Sequence, residues 1–313
     1  MNRFFGITLA TIGLLIGGCS TNPATGKSTF TLLSWDQEMA MGAEAAPGML
    51  EQFGGEVPVA ELNTYTNRVG MDLVAFVEPG VPALDWEFYL LDSDIINAFA
   101  LPGGKVYMSR GLAQHMTSEA QFAAVIGHEI GHVTARHGNQ RISKQIGFNI
   151  LIGAGAIAVG VADEDSALRE YGQVGLPVLA VGGNLVLLSY SRDQELEADM
   201  LGVRYMAKAG YDPIGALEVQ QLLKEASGGG AVGLEALYAS HPPSDQRIER
   251  IQGLLAGRYS YTQNNAEFRV YAERYQSEFL SRLPASDART DPMESQTFAL
   301  RDASSWCAHC THN

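Results

Sequence analysis

The segment AAVIGHEIGHVTARHGNQR, residues 123–141, constrains the fold more than any other part of the sequence. At about 100° per residue, four apolar side chains in and just before it form one stripe: Phe122, Ile126, Ile130 and Val133. His128 and His132 are four residues apart and fall on the opposite face. Ser118 can cap the start, with Gln121 reaching back to it. The segment therefore predicts a helix that presents two imidazoles side by side.

The spacing of these histidines is suited to a metal. Histidines at i and i+4 can direct ring nitrogens at one point, which is what zinc needs from its first two ligands. Glu129 can take a proton from water held at an open metal position, and attack of that water on a carbonyl is amide hydrolysis. The alternative is a solvated His-Glu-His face without metal, and a third ligand would decide between them. We expect His137 to lie outside the site.

The segment SRDQELEADMLGVRYMAKAG, 191–210, supplies candidates for that third ligand. It predicts a helix from about Ser191 to Ala209. One flank carries charges that we expect to be solvated: Asp193, Glu197, Arg204 and Lys208. On the other flank Glu195 and Asp199 are four residues apart and repel each other, whereas a bound cation would reverse that effect. We expect Glu195 to be the third ligand and Asp199 to orient a ligand histidine, and the alternative is a helix that is simply rich in acids.

The segment YASHPPSDQR places His241 before two prolines, with Arg247 six residues further on. We expect Arg247, like Asp199, to support the ligands without binding the metal itself. His241 could stabilise the oxyanion of a tetrahedral intermediate as a catalytic residue. It could also occupy the fourth position of a zinc ion and hold an enzyme off. A histidine in a capped turn without a functional role is the third reading, and the sequence leaves all three open.

The N-terminus, MNRFFGITLATIGLLIGGCS, has a basic start, an apolar run too short to span a bilayer and small residues before Cys19. The ending LIGGC resembles the lipobox of bacterial lipoproteins. We therefore expect residues 1–18 to be a signal peptide, Cys19 to be lipidated and residues 19–33 to be a tether. Ser20 after the cysteine favours the periplasmic face of the outer membrane. A signal peptide with an incidental cysteine is the alternative.

Composition and patterning outline the rest of the chain. The net charge of −14 over 313 residues disfavours nucleic-acid binding. Short β-rich runs between residues 86 and 108 predict a small sheet among helices. We expect a peptidase domain over residues 34–255 and a helical C-terminal extension with a cysteine-containing tail over 256–313. The apolar stretches 146–161 and 174–190 favour buried helices or loops over a cleft rather than a membrane hairpin.

The tail WCAHCTHN leaves two cysteines once Cys19 is assigned to lipidation. A local disulfide between Cys307 and Cys310 is the plain expectation in an oxidising compartment. A metal-binding tail and a redox motif are the alternatives.

Five motifs occur in an order that resembles the HtpX-like zinc metallopeptidase family: NPATGKSTFTLLSWDQEMAMG, NAFALPGG, HEIGH, SRDQELEAD and SHPPSDQR. The likeness covers about residues 20–252, and the lipobox makes it closest to the periplasmic lipoprotein members. It implies an α+β gluzincin fold, mostly helical with a small antiparallel-rich sheet. It also implies one Zn²⁺ per chain on His128, His132 and Glu195.

The resemblance has further implications for substrate and regulation. It implies that an edge strand at Asn97, Ala98, Phe99 and Ala100 receives an extended substrate by β-addition. It implies that His241 acts as a switch on the metal. Too few residues follow the peptidase region for the tetratricopeptide domain of some members.

Two functions follow as hypotheses. The first is a lipid-anchored endopeptidase that hydrolyses misfolded or damaged envelope proteins, selecting extended conformation rather than sequence. The second is a lipoprotein chaperone or assembly factor whose zinc site is closed and structural. The sequence leaves open whether the chain forms a homo-oligomer.

Overall fold

The computed structural model describes residues 19–158, 189–228 and 234–284. Helices dominate these residues, as the sequence predicts. The helices are α1 (Trp35–Gln52), α2 (Ala60–Val74), α3 (Arg110–Ala113), α4 (Glu119–Thr134), α5 (His137–Ala158), α6 (Arg192–Ala209), α7 (Ile214–Gly228), α8 (Glu235–Ser240) and α9 (Asp245–Ala256).

Two small sheets accompany the helices. Strands β1 (Cys19–Thr21) and β2 (Ser28–Phe30) form an antiparallel hairpin. Strands β3 (Glu87–Leu91), β4 (Ala98–Leu101) and β5 (Lys105–Ser109) form a sheet in the order β3-β5-β4. The central β5 is buried along its whole length, parallel to β3 and antiparallel to β4. Two of the three pairings in the described part of the chain are antiparallel, so the predicted fold class is confirmed.

Local sequence signals fix the helix ends. Ser34 and Gln37 form a capping box at the start of α1, and Gly210 adopts a left-handed conformation after α6. Ser118 caps α4 by accepting a hydrogen bond from the Gln121 backbone N–H. The Gln121 side chain accepts from the N–H of Thr117 and not from that of Ser118, so only half of the predicted reciprocal cap forms.

The segment predicted to be a tether packs against the domain. The Asn22 side chain accepts from the backbone N–H groups of Ala24 and Thr25, and it donates to the carbonyl of Thr134 at the end of α4. Asn22 is buried because this one side chain closes the hairpin turn and also joins it to α4. Residues 20–33 are therefore part of the folded unit, which differs from a flexible linker, and the lipidation of Cys19 stays a prediction.

Helices α4 and α6 cross at very short range. A Cβ on Gly202 would lie 3.0 Å from the backbone of Gly127, and a Cβ on Gly131 would lie 2.8 Å from the carbonyl oxygen of Ala198. Glycine is required at these points because the two backbones are nearly in contact. The crossing brings the His-Glu-His face of one helix against the acidic flank of the other.

Between Gly257 and residue 284, the last described residue, the chain is helical only in part. A short turn spans Ser260–Thr262, and three helical segments follow end to end at Ala272–Arg274, Tyr275–Phe279 and Leu280–Arg282. The backbone of Arg269 instead donates to the carbonyl of Gly210 and accepts from the N–H of Asp212. At Arg269 this strand-like pairing takes the place of helical hydrogen bonds. It returns the chain to the end of α6, and Tyr275 and Phe279 then enter the main core.

A buried carboxylate, Glu119, ties this C-terminal segment to the first turn of α4. Glu119 is 0% exposed. Its carboxylate accepts hydrogen bonds from Arg68, Arg274 and Tyr65, and it also accepts from the Tyr211 hydroxyl at 2.9 Å. Burial would raise the pKa of the Glu119 carboxyl, but the bonds from Arg68, Arg274 and Tyr65 outweigh burial and lower it.

In the described ranges, no helix is both long and apolar enough to cross a bilayer. The first apolar stretch continues α5 as far as Ala158. The rest of that stretch, and the second one up to residue 188, lie outside the described residues.

The glycine crossing yields a stability prediction with an internal control. Gly131→Ala forces α4 and α6 apart, and we expect the free energy of unfolding to fall by about 1–3 kcal/mol. Gly48→Ala in α1 meets open space and should raise it by about 0.5–1 kcal/mol, because alanine loses less backbone entropy than glycine. Urea unfolding followed by circular dichroism measures both, and equal effects would contradict the close crossing.

The Glu119 contacts yield a pH-dependent prediction. We expect Glu119→Gln to lower the free energy of unfolding by about 2–3 kcal/mol at pH 7, less than for a fully buried pair because both arginines are partly exposed. The folded pKa is lowered, so the charge stabilises the protein above the ordinary glutamate pKa of about 4.3 and ceases to do so as pH falls through the folded value.

The difference between wild type and Glu119→Gln should therefore shrink below about pH 4. Urea unfolding at pH 7, 5, 4 and 3 measures it. The exposed Glu61→Gln in α2 is the matched control. A constant difference down to pH 3 would show that folding does not lower the pKa of Glu119.

Candidate active site

Four side chains from three elements converge in the interior: His128, His132, Glu195 and His241, with one ligand atom from each within 4.8 Å of the others. His132 Nε2 lies 3.0 Å from His128 Nε2. His241 Nδ1 lies 3.1 Å from Glu195 Oε1 and 3.3 Å from His128 Nε2. The structure thus brings together the three side chains expected to bind metal and also places His241 among them.

The local sequence explains how each donor arrives. The i, i+4 spacing on α4 aligns the two rings of His128 and His132, and the crossing with α6 brings Glu195 against them. His241 follows α8 as its C-cap, where its backbone N–H donates to the carbonyl of Leu237. The carbonyl of Ser240, just before it, accepts from the N–H of Tyr190. His241 is therefore held from two sides.

The donor set fits zinc. His128 Nδ1 lies 2.9 Å from Asp199 Oδ1, and a carboxylate can only accept, so this nitrogen carries a proton. The Nε2 of a neutral His128 then presents a lone pair toward His132 Nε2 and His241 Nδ1. Lone pairs at this separation repel unless a cation lies between them. Imidazole nitrogens with one carboxylate oxygen are the ligands that zinc takes in open catalytic sites.

The charges around the cluster also favour a cation. Burial of His128 disfavours its charged form, but Asp199 and Glu195 outweigh burial and raise the pKa of His128 to about 9. Burial would raise the pKa of Glu195, but His241 and Arg247 hold it well below its usual range. The negative charge that would hold a proton on His128 would equally hold a divalent ion.

Asp199 and Arg247 surround His128 as a paired group. Arg247 donates from Nε and Nη2 to the two oxygens of Asp199, at 2.8 and 2.7 Å. Its Nη1 lies 2.7 Å from Glu195 Oε2. Arg247 is buried and so holds two of the site's carboxylates at once. The predicted positioning roles of Asp199 and Arg247 remain proposals, and this geometry agrees with them.

Glu129 is buried beside the donors and lines a cleft next to them. Burial raises the pKa of the Glu129 carboxyl. Its Oε1 lies 3.5 Å from His241 Nε2, and its Oε2 has no hydrogen-bond partner among the described residues. A carboxyl with a raised pKa and an oxygen without a partner is suited to accept and return a proton.

A cleft opens next to Glu129 and His128. It has about 680 Å³ of empty space, including its mouth. Apolar side chains make up much of its wall: Ala98, Leu112, Ala124, Val125, Val219 and Leu223. The cleft can therefore take an apolar group next to the donors.

The predicted substrate strand runs past the same cluster. Ala98, Phe99 and Ala100 belong to β4, an edge of the three-stranded sheet, and Asn97 directly precedes it. Ala98 lines the cleft beside His128, and Ala100 lines a smaller pocket beside His132. The Asn97 side-chain oxygen is buried, with no partner among the described residues. These contacts place β4 along both ligand histidines.

Two residues that sequence reasoning placed outside the site contact it. His137 Nδ1 lies 2.9 Å from His132 Nδ1, and His137 Nε2 lies 3.0 Å from Glu197 Oε2. Glu197 was expected to be solvated but is buried. The helical pattern could not show this, because Arg136 takes a left-handed φ of 59° between α4 and α5 and turns His137 back onto His132.

Tyr190 is a third residue that sequence reasoning missed. Its ring stacks on His132, with 3.7 Å between ring centroids, and the guanidinium of Arg141 lies over its ring. It precedes the capping residue Ser191, and nothing in its local pattern singled it out.

The remaining predicted site residues are not placed by the structure. Cys307 and Cys310 lie outside the described residues, so the disulfide stays a prediction. Cys19 begins β1, but its side chain is not described.

Comparisons with known proteins agree with the site. The profile of Peptidase family M48 matches residues 61–255. The mitochondrial metalloendopeptidase OMA1 of Schizosaccharomyces pombe is 30% identical over 236 residues, covering 74% of this chain and 65% of that protein. The beta-barrel assembly-enhancing protease of Yersinia pestis is 31% identical over 229 residues, covering 72% and 45%. That of Escherichia coli K12 is 30% identical over 226 residues, covering 71% and 43%.

The chain belongs to peptidase family M48, a family of zinc metallopeptidases. The resemblance inferred from the motifs, the metalloendopeptidase class and the zinc cofactor are confirmed at the level of the family. The aligned region spans less than two thirds of the length of these relatives.

Proposed function

We propose that the chain is an endopeptidase that hydrolyses peptide bonds of unfolded or damaged proteins of the bacterial envelope. The observation that carries the proposal is the convergence of His128, His132 and Glu195 beside Glu129, at the edge of an apolar cleft. Membership of family M48 supports the same chemistry.

Each group of the site has a distinct task in this proposal. His128, His132 and Glu195 hold one Zn²⁺, which when bound polarises a substrate carbonyl and makes water more acidic. Glu129 takes the proton of the attacking water at its free Oε2 and returns it to the leaving amine. Asp199, held by Arg247, accepts from His128 Nδ1 and so keeps Nε2 directed at the ion.

The surroundings of the site favour extended substrates with apolar side chains. A peptide added to the free edge of β4 would pass both ligand histidines in extended conformation. The cleft beside Glu129 would take one apolar side chain next to the bond to be cut. Unfolded proteins offer both features at once, whereas folded proteins bury their apolar side chains and pair their strands.

The proposed location is the periplasmic face of the outer membrane, with lipid on Cys19 as anchor. The supporting observation is the sequence LIGGCS after a short apolar run. The printed names of the relatives point to two settings, beta-barrel assembly in bacteria and the mitochondrion, so the location rests on the N-terminal sequence.

A second function is favoured by one specific observation. His241 Nδ1 lies inside the donor cluster, so four protein side chains surround the metal position. Four protein ligands are typical of a closed, structural zinc site, as a chaperone or assembly factor would have. In the enzyme reading His241 instead acts as a removable fourth ligand that keeps the protease inactive between substrates.

Replacement of Glu129 tests the enzyme. Glu129→Gln should reduce cleavage of unfolded casein by about 100-fold or more, because it removes the proton acceptor. Zinc measured by elemental analysis should stay at one per chain in Glu129→Gln and fall in Glu195→Gln. The exposed Glu44→Gln is the matched control. Full activity in Glu129→Gln would eliminate the proposed base.

Replacement of His241 separates the two functions. We expect His241→Ala to cleave casein several-fold faster than wild type and to retain zinc, because it leaves three ligands and frees the fourth position. The exposed His115→Ala serves as control. Lost zinc without any proteolysis would instead favour the closed structural site, and retained zinc with lost proteolysis would make His241 catalytic.

A further inference from the structure

A series of three side-chain contacts connects the proposed ligand His132 with the N-terminal hairpin. His132 Nδ1 meets His137 Nδ1 at 2.9 Å, and His137 Nε2 meets Glu197 Oε2 at 3.0 Å. The other oxygen of Glu197 lies 2.7 Å from the ammonium of Lys27, in the turn between β1 and β2. His137 is 0% exposed and Glu197 is buried, while the Lys27 side chain is 65% exposed.

The chemistry of donors and acceptors determines which ring nitrogen of His132 and of His137 carries a proton. A carboxylate only accepts, so His137 Nε2 carries a proton and donates it to Glu197. The Nδ1 of a neutral His137 is then an acceptor, and among the residues that the structure describes it meets His132 Nδ1. His132 therefore carries its proton on Nδ1, which leaves its Nε2 bare and directed at His128 and Glu195.

The two ligand histidines thus reach carboxylates by different routes. His128 donates directly to Asp199, whereas His132 reaches Glu197 through an intervening imidazole. The longer route follows from the turn at Arg136, which folds His137 back over the end of α4. Tyr190 packs on the face of the His132 ring, so the ring is held by stacking and at Nδ1 together.

We propose that His137 is a positioning residue that fixes the tautomer and orientation of the zinc ligand His132, with Glu197 as its acceptor. Lys27 is an exposed ion-pair partner of Glu197, in the hairpin, at the outer end of these contacts. The proposal rests on the proposed zinc site. It adds to the site two residues that are not ligands: His137, which contacts His132, and Glu197, which contacts His137.

The test measures zinc affinity by competition with a chromogenic chelator and does not depend on proteolysis. His137→Phe keeps an aromatic ring and removes the acceptor, and it should weaken zinc binding about 10- to 100-fold, as losses of such outer partners do. Glu197→Leu should weaken it in the same direction. Glu197→Gln keeps an acceptor for His137 Nε2 and should stay within about 3-fold of wild type.

Two control variants test whether the loss of zinc affinity is specific to His137 and Glu197. Lys27→Met removes only an exposed ion-pair partner and should stay within about 3-fold of wild type. His115→Phe replaces an exposed histidine by the same residue and should change nothing. Far-ultraviolet circular dichroism and melting of the metal-free variants separate a positioning role from simple loss of the fold. The visible absorption of the Co²⁺-substituted proteins reports the ligand geometry directly, and it should change in His137→Phe.

The results distinguish a failure of the positioning role from a failure of the proposed function. Wild-type affinity and an unchanged cobalt spectrum in a folded His137→Phe would overturn the positioning role while leaving the zinc site intact. If His137→Phe does not fold, Glu197→Leu decides, and equal zinc affinity in Glu197→Leu and Glu197→Gln overturns the proposal. Absence of stoichiometric zinc in the wild type would overturn the proposed function and this inference together.

Discussion

The close crossing of α4 and α6 is the constraint on which the rest of the site depends. Gly127 faces Gly202 and Gly131 faces Ala198, at distances that leave no room for larger side chains on the glycines. The pairs lie between and beside the ligand positions on both helices. A wider crossing would carry Glu195 away from the two imidazoles. Helix packing therefore sets the distances between the donors before any metal contributes.

This packing brings several charges into the interior, where unpaired charge is costly. Glu195, Asp199 and Glu129 are all buried, and Arg247 pairs with the first two. One oxygen of Glu129 has no hydrogen-bond partner in the described part of the chain, and it lies beside the apolar cleft. Arg247 therefore pairs with the proposed ligand Glu195 and with Asp199, the proposed positioning residue, and does not pair with the carboxylate that is proposed to move a proton.

The N-terminal hairpin contributes to the same region although it lies before the part of the chain that matches family M48. Asn22 donates to the last turn of α4 at Thr134, and Lys27 reaches Glu197 on α6. The hairpin thus touches both helices that carry ligands. If Cys19 is lipidated as proposed, the anchor would be only a few residues from the surroundings of the metal site.

The sequence by itself determined the elements whose signals are local: the serine caps at the starts of α4 and α6, the small sheet, and the paired histidines and acids at helical spacing on these two helices. Contacts that depend on a turn, or on packing between distant segments, were decided only by the tertiary structure. Arg136 turns His137 into the site, and Lys27 and His137 make Glu197 a buried partner instead of a solvated charge. The reason is physical, because helical periodicity describes one helix at a time, whereas these contacts follow from how helices and the hairpin pack together.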